Sequence, residues 1–319
     1  MKLRKKVTTL MMTSLIFAGT LSYSKALNAN DIIQIKGKDR YATASKIAGE
    51  MGNYETVILV NADKNQLADG LSASGLAGVL RAPILLVNRD RIPNETQLRI
   101  EIAKNIYIIG SESSISKNIE NSLKNSQMGG FNVKRIGGKN RFETSNNVAK
   151  EILNIKGNIG KVFVANGYKG EADAMSISAV AARDGEPILL TNGNKLDNAT
   201  SSIIEQPRNI YAIGGSSSIS PGLVSHMGAK RISGSNRFST NNAVINEFYK
   251  VKPNSFYLSD GYKLVDALTG GPLASKELSP IVLVNATSNK SVLSGAKRIV
   301  SLGGISNDVL NSVANATNR

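Results

Sequence analysis

The feature that most constrains this chain is a phrase written three times. Ile35-Lys36-Gly37-Lys38-Asp39-Arg40-Tyr41-Ala42-Thr43 returns as Ile136-Gly137-Gly138-Lys139-Asn140-Arg141-Phe142-Glu143-Thr144 and as Ile232-Ser233-Gly234-Ser235-Asn236-Arg237-Phe238-Ser239-Thr240. The three arginines lie 101 and then 96 residues apart. Each phrase is followed by the same landmarks in the same order. An aspartate comes first (Asp69, Asp173, Asp266), then a proline always 14 residues later (Pro83, Pro187, Pro280), then an apolar run closed by Gly110, Gly214 or Gly303. Composition alone does not produce four ordered landmarks with one invariant interval. A period of about 100 residues exceeds solenoid repeats and reaches domain size, so one fold is expected three times.

Repeat two reads most clearly. A strand is expected over 131–136, followed by a Gly137-Gly138-Lys139-Asn140 turn. Thr144 is the expected cap of a helix whose apolar face is Val148, Ala149, Ile152 and Leu153. A second strand over 161–165 leads through a loop to a helix of small residues over 172–183. The continuous apolar run at 187–191 reads as a strand buried on both faces. A short helix over 198–205 and a strand over 209–213 complete the unit. The other copies agree, with strands at 56–60, 83–87 and 106–109, and at 255–258, 280–284 and 298–302. Strands alternating with helices imply a parallel sheet. The expected fold is therefore α/β, three tandem small parallel-sheet modules at 32–130, 131–228 and 229–319. Repeat three is shortened: 23 residues separate Pro280 from Gly303, against 27 in the other two. Gly270-Gly271-Pro272 is expected to kink or shorten its small-residue helix.

Lys2, Arg4, Lys5 and Lys6, followed by an uncharged apolar stretch from Val7 to Leu21, read as an export signal over 1–29 cleaved near Ala26 or Ala29. No later segment is apolar enough to span a bilayer, so no membrane span is expected after signal removal. The chain has no cysteine and one histidine, His226, which removes disulfides and most metal and nucleophile–base chemistry. His226 is expected at the surface, and no cofactor or metal is expected. Losing the five basic residues among the first 26 lowers the formal charge from +15 to +10, which still favours polyanionic partners. Nucleic acid is not expected: aromatics are few, Trp is absent, and no reading helix or aromatic stacking platform is evident.

The repeated residues admit two readings. Arg40, Arg141 and Arg237 emerge at a strand end just before a helix N-terminus, where a guanidinium can clamp a phosphate or carboxylate bidentately. Equally, each can pair with Asp69, Asp173 or Asp266 and hold the turn or seal neighbouring repeats. The aspartate immediately precedes the small-residue helix, so an N-cap role outweighs a catalytic one. No second carboxylate recurs at a clear spacing, so a paired acid–base site is unsupported. The aromatic after each Arg reads as core, and the small-residue helices (70–78, 174–182, 267–275) as packing elements. The Gly-Ser loops after the fourth strands look like anion nests but lack a P-loop ending, and an ordinary strand-to-helix turn explains them as well.

Three ordered copies of Ile-x-Gly-x-[Asp/Asn]-Arg-[Tyr/Phe]-x-Thr, then Asp-[Gly/Ala]-[Leu/Met], then Pro-Ile-[Leu/Val]-Leu, behind an export signal, resemble the type 2 cell wall-binding repeat family of clostridial surface-layer-associated cell wall proteins. The resemblance covers residues 32 to 319. It implies modules packed around a pseudo-threefold axis, with ligand grooves that involve neighbouring modules. It also implies a non-catalytic, exported wall protein, a surface-layer constituent held non-covalently by an anionic cell wall polysaccharide or teichoic-acid-like polymer. Other surface-layer proteins are further expected partners. On that reading Arg40, Arg141 and Arg237 supply charge-assisted bonds, and Asp69, Asp173 and Asp266 order the grooves or accept sugar hydroxyls. The family's Pro-Ile-Leu-Leu hallmark stands as Pro83-Ile84-Leu85-Leu86 and Pro187-Ile188-Leu189-Leu190, but departs mildly at Val282. With the shortened loop and Pro272, this departure suggests a weaker third module. Relatives often carry an effector domain, whereas here the repeats are expected to be the whole mature chain. The alternatives are a wall-active hydrolase and a surface adhesin that uses the repeats as its anchor.

Overall fold

In the computed structural model, residues 26–63, 67–126, 130–205 and 209–319 are described. The basic and apolar stretches of the export signal lie outside them. Strands and helices alternate as the hydrophobic pattern requires. The first third runs β1 (Ile33–Ile35), α1 (Arg40–Glu50), β2 (Thr56–Asn61), a 3-10 turn (Gly70–Ser72) leading into α2 (Ala73–Leu80), β3 (Ile84–Val87), α3 (Asn94–Ile100), β4 (Asn105–Ile109) and α4 (Lys117–Lys124). The second runs β5 (Asn132–Ile136), α5 (Arg141–Lys156), β6 (Lys161–Asn166), α6 (Glu171–Ser176), α7 (Ser178–Asp184), β7 (Ile188–Thr191), α8 (Asn198–Ile204), β8 (Asn209–Ile213) and α9 (Pro221–His226). The third runs β9 (Lys230–Ile232), α10 (Arg237–Phe248), β10 (Ser255–Asp260), α11 (Val265–Lys276), β11 (Ile281–Val284), β12 (Arg298–Leu302) and α12 (Asn307–Thr317).

The strands form three four-stranded sheets, ordered β3-β2-β4-β5, β7-β6-β8-β9 and β11-β10-β12-β1, with every pair parallel. Sheets and sequence repeats are therefore offset by one strand. The strand that opens repeat two, β5, completes the first sheet, and β9 completes the second. The third sheet takes its fourth strand from the start of the chain: Ile33 pairs with Val300 and Ile35 with Leu302. The repeats thus close into a ring. Beyond β1 the two ends are tied directly, Leu27 N–H donating to Asn318 Oδ1 and Asn318 Nδ2 to the Leu27 carbonyl, both at 3.0 Å.

The middle of the ring is built from helices of small residues. α7 packs against both α2 and α11, and α2 also meets α11. Small residues are needed because backbones nearly touch there: a Cβ on Gly78 would sit 1.8 Å from the Ala182 carbonyl oxygen. Outside these helices, β2, β3, β7 and β11 are buried along their whole length, as continuous Val/Ile/Leu runs demand. The result is one apolar core shared by all three sheets, flanked by separate outer clusters in the first and third.

Two local expectations are corrected, and a third takes structural form. The helix expected over 172–183 is broken at Ile177 into α6 and α7. By contrast α11 runs unbroken through Pro272. The proline removes one N–H, but every residue from Val265 to Ser275 is buried, and enclosure on all sides holds the helix together. The shortening of repeat three replaces the helix equivalent to α3 and α8 with a 3-10 turn, Ser291–Leu293. Among the described residues no helix is long and apolar enough to cross a membrane.

Candidate functional site

The recurrent phrase is a helix-start device. The caps are Asp39, Asn140 and Asn236, whose side-chain oxygens accept first-turn N–H groups of α1, α5 and α10 at 2.8–3.0 Å. The expected cap Thr144 instead lies inside α5. Its hydroxyl accepts the Gly138 N–H at 3.1 Å, as Thr43 and Thr240 accept Gly37 and Gly234 at 3.0 Å, which folds the glycine turn back onto the helix.

Capping leaves Arg40, Arg141 and Arg237 as the first residue of their helices. Each guanidinium donates through Nη1 to the carbonyl just past a neighbouring strand: Arg40 to Ala62 at 2.7 Å, Arg237 to Gly261 at 2.8 Å, and Arg141 to Gly167. This backbone anchor belongs to neither reading of the arginines. Among the described residues no ion pair within 4.0 Å joins them to Asp69, Asp173 or Asp266.

The aspartates face the arginines nonetheless, across a junction between modules. The field of Arg237 acts on Asp173, and that of Arg40 on Asp266. α5, which begins with Arg141, packs against the turn that follows Asp69. Asp173 thus meets the arginine opening the next module, and ring closure brings Asp266 to Arg40. None of the three aspartates makes a side-chain cap, so the N-cap reading is overturned. Their carboxylates turn instead to the closing glycines. A Cβ on Gly110, Gly214 or Gly303 would lie 2.9, 2.4 or 2.0 Å from an Oδ2 of Asp69, Asp173 or Asp266. Those glycines also hold φ of +123°, +122° and +71°, so both space and backbone call for glycine.

Burial pushes Asp173 up to about 6, against the Ser218 hydroxyl, which donates to it at 3.3 Å, and the charge of Arg237. Burial likewise pushes Asp266 up to about 6; Arg40 and Lys263 oppose the rise and Asp260 adds to it. Between the second and third modules lies a groove of about 400 Å³, where Asp173, Ser218, Lys169 and Tyr168 face Arg237 and Asn236. The Ser-rich loop is tied down as its wall, Asn166 Nδ2 donating to the Ser218 carbonyl at 2.6 Å; in the first module Asn61 makes the equivalent bond to Ser114 at 2.5 Å.

Sequence reasoning missed the tyrosines. Tyr168 and Tyr262 are 60% and 64% exposed, each with an arginine over its ring: Arg141 at 4.9 Å and Arg237 at 4.6 Å. Phe142 and Phe238 meet the tyrosines edge-on, with centroids 5.3 and 5.8 Å apart. An aromatic platform is therefore present where none was expected. Its signal was the Gly-Tyr-Lys at 167–169 and 261–263, directly after the second strand of two repeats. Repeat one has Asp63 there. Burial works against its charge, but Asn88 and the Arg89 N–H hold it below the usual range, with Arg40 adding. Arg40 consequently lies among Asp39, Asp63 and Asp266, and its junction departs most from the other two. His226 is exposed at the end of α9, away from these junctions.

Comparison with known proteins is consistent across the chain. A family model described as cell wall binding domain 2 (CWB2) matches residues 34–120, 135–224 and 231–310. The N-acetylmuramoyl-L-alanine amidase LytC of Bacillus subtilis is 32% identical over 288 residues, covering 88% of this chain and 55% of LytC. Among solved structures, Cwp6 from Clostridium difficile superposes with a TM-score of 0.84 at 31% identity, covering 98% of this chain and 51% of Cwp6. Cwp8 from the same organism gives 0.81 at 34% identity, covering 90% and 52%. The chain spans about half the length of these relatives.

Proposed function

The chain belongs to the cell wall binding domain 2 family, and from that premise we propose that it is an exported, non-catalytic protein held to the wall by an anionic polymer bound in the grooves between its modules. The observation that carries this reading is an arginine pinned by one nitrogen to a backbone carbonyl in all three repeats, which at two junctions faces a half-buried or buried aspartate, Arg237 with Asp173 and Arg40 with Asp266. Pinning one donor orients the guanidinium fork and leaves further N–H groups for a phosphate or carboxylate. The aspartate and the Ser218 hydroxyl suit sugar hydroxyls. The outer face of Tyr168 suits the apolar face of a sugar ring. Grooves held on one frame engage a repeating polymer together, so avidity replaces single-site affinity. A place in the surface layer, among other surface-layer proteins, follows from the same attachment.

A wall-active hydrolase is the competing class, since LytC is an amidase. The binding reading is preferred because no second carboxylate recurs beside the aspartate in all three repeats, Asp260 near Asp266 having Asn61 and Asn166 as its counterparts. In addition, among the described residues no three His, Cys, Asp or Glu side chains gather as a metal centre would need. The test uses Arg40→Ala, Arg141→Ala and Arg237→Ala together, with a circular-dichroism melt to show that the variant folds. Loss of sedimentation with purified walls is expected. Retention equal to the parent protein, or release of soluble wall fragments by the parent, would overturn the assignment.

A further inference from the structure

The three central helices, α2, α7 and α11, have the aspartates near their N-terminal side: Asp69 precedes the turn into α2, Asp173 lies in α6 ahead of α7, and Asp266 is in the first turn of α11. About 15 Å away, at their C-terminal ends, they open a second cavity on the ring axis. It has a volume of about 480 Å³ and an apolar floor of Met51, Ala77, Ala182 and Pro272. Each repeat contributes one cation to its lining, Arg81, Arg183 and Lys276, and no carboxylate lines it.

The cations are not equivalent positions. Counting back from the recurrent prolines, Arg183 and Lys276 correspond to each other, but repeat one has Val79 there. Its cation comes two residues later, at Arg81, where the backbone is left-handed with φ +51°. Repeat two places Gly185 at that position, with φ +62°, and repeat three places Leu278, with φ +52° and 67% exposed. Arg81 and Leu278 are the only non-glycine residues with positive φ among those described, and both line this cavity. Helix-end electrostatics accounts for Arg183, which is held by Asp184 and the Phe248 carbonyl, and for Lys276, which donates to the Met51 carbonyl at 2.8 Å. Arg81 caps α2 at the same kind of helix end, but its guanidinium has no hydrogen-bond or ion-pair partner among the described residues. The positive φ at 81, 185 and 278 belongs to the left-handed turn that ends each central helix, where the N–H groups of Ala82, Glu186 and Ser279 donate to the carbonyls of Ala77, Ala181 and Ala274. The turns gather three cations, one of them without a partner, around a cavity that no carboxylate lines, and that arrangement suits an anion.

We propose that the axial cavity is a binding site for a small amphiphilic anion, with a carboxylate or sulfonate head on Arg81 and Lys276 and a compact hydrocarbon body on the apolar floor. The volume lies in the range of small-ligand pockets, and the lining sets that apolar floor, with Leu278, beside polar Asn53, Ser275 and the three cations. The site is on the face opposite the aspartate–arginine grooves and is independent of wall attachment.

The experiment titrates the folded full-length mature chain with 8-anilinonaphthalene-1-sulfonate and displaces it with decanoate or with uncharged decanol. The key variant is Arg81→Gly, which puts in repeat one the residue repeat two already uses at this φ, so folding is retained. The parent is expected to bind one probe saturably, displaced by decanoate at least about tenfold more effectively than by decanol. Arg81→Gly is expected to weaken binding about tenfold without lowering Tm, and Arg237→Ala to leave it unchanged. Non-saturable binding by the parent, equal displacement by decanol, or unchanged affinity in both Arg81→Gly and Lys276→Ala would overturn the proposal.

Discussion

Asp173 and Asp266 carry a consequence for pH. Both stand at about 6, against an ordinary aspartate value of 3.8, because burial disfavours their charge. A carboxyl raised in the folded state takes up its proton there first. Stability therefore rises as pH falls through about 6, and stops rising below about 4, where the unfolded chain is protonated as well. Each group contributes on the order of 2–3 kcal/mol across that window. Glu120 works in the opposite sense: burial opposes its charge, but Lys124, Arg135 and Lys117 pull it down to about 2. Its stabilisation is complete above about 4.5 and is lost as pH falls through about 2. From these three groups stability should peak at roughly pH 4, and Asp173→Asn should raise Tm by a few degrees at pH 7.5 while flattening the change between pH 7.5 and 5. Thermal unfolding at several pH values checks this; an unchanged or lowered Tm at pH 7.5 would contradict it. Neutralising Asp173 also removes a negative charge facing Arg237, so binding to a polyanion should tighten over the same interval.

Among the elements, the central helices approach each other at Gly78 so closely that no side chain fits. Gly78→Ala drives a methyl group into the Ala182 carbonyl and should cost about 3 kcal/mol or more. Gly222→Ala in α9, where nothing lies within 4 Å, should be neutral or slightly stabilising. Urea unfolding of the two variants measures the contrast, and equal stabilities would refute the close packing. The strands are legible in the sequence because a short continuous apolar run such as Ile188-Leu189-Leu190, led by a proline, suits a strand buried on both faces, and all three sheets use these runs as expected. The helix starts are half legible. The glycine, arginine and threonine of the phrase stand out as one unit, but a hydroxyl before an apolar face is the usual cap signal and points to Thr144. The amide of Asn140 lies four residues nearer the strand and satisfies two N–H groups at once. Pro272 misleads because propensity counts the missing N–H and cannot see burial on every side of α11.

For the whole molecule, the ring closure matters most and is least legible. Repeats stand out as sequence units, whereas the sheets are built from one repeat and the first strand of the next, so β1 pairs 265 residues or more along the chain. Periodicity carries no information about such long-range pairing. The junction sites share this fate: the six charged residues are identifiable from recurrence, but not that Asp173 meets Arg237 rather than Arg141, nor that Tyr168 and Tyr262 stand beside the arginines. Because Leu27 and Asn318 are hydrogen-bonded, a circular permutant with residue 319 joined to residue 26 by a short linker, opened between Gly157 and Asn158, should fold with a Tm within a few degrees of the parent. Failure of that permutant to melt cooperatively would contradict the closed ring. The central claim is that the junction grooves grip an anionic polymer. Its most direct test is sedimentation of the mature protein with purified walls across a salt series, beside walls stripped of their anionic polymer. The account predicts binding to intact walls that weakens steeply with salt and disappears on stripping. Equal binding to stripped walls, or binding indifferent to salt, would contradict it.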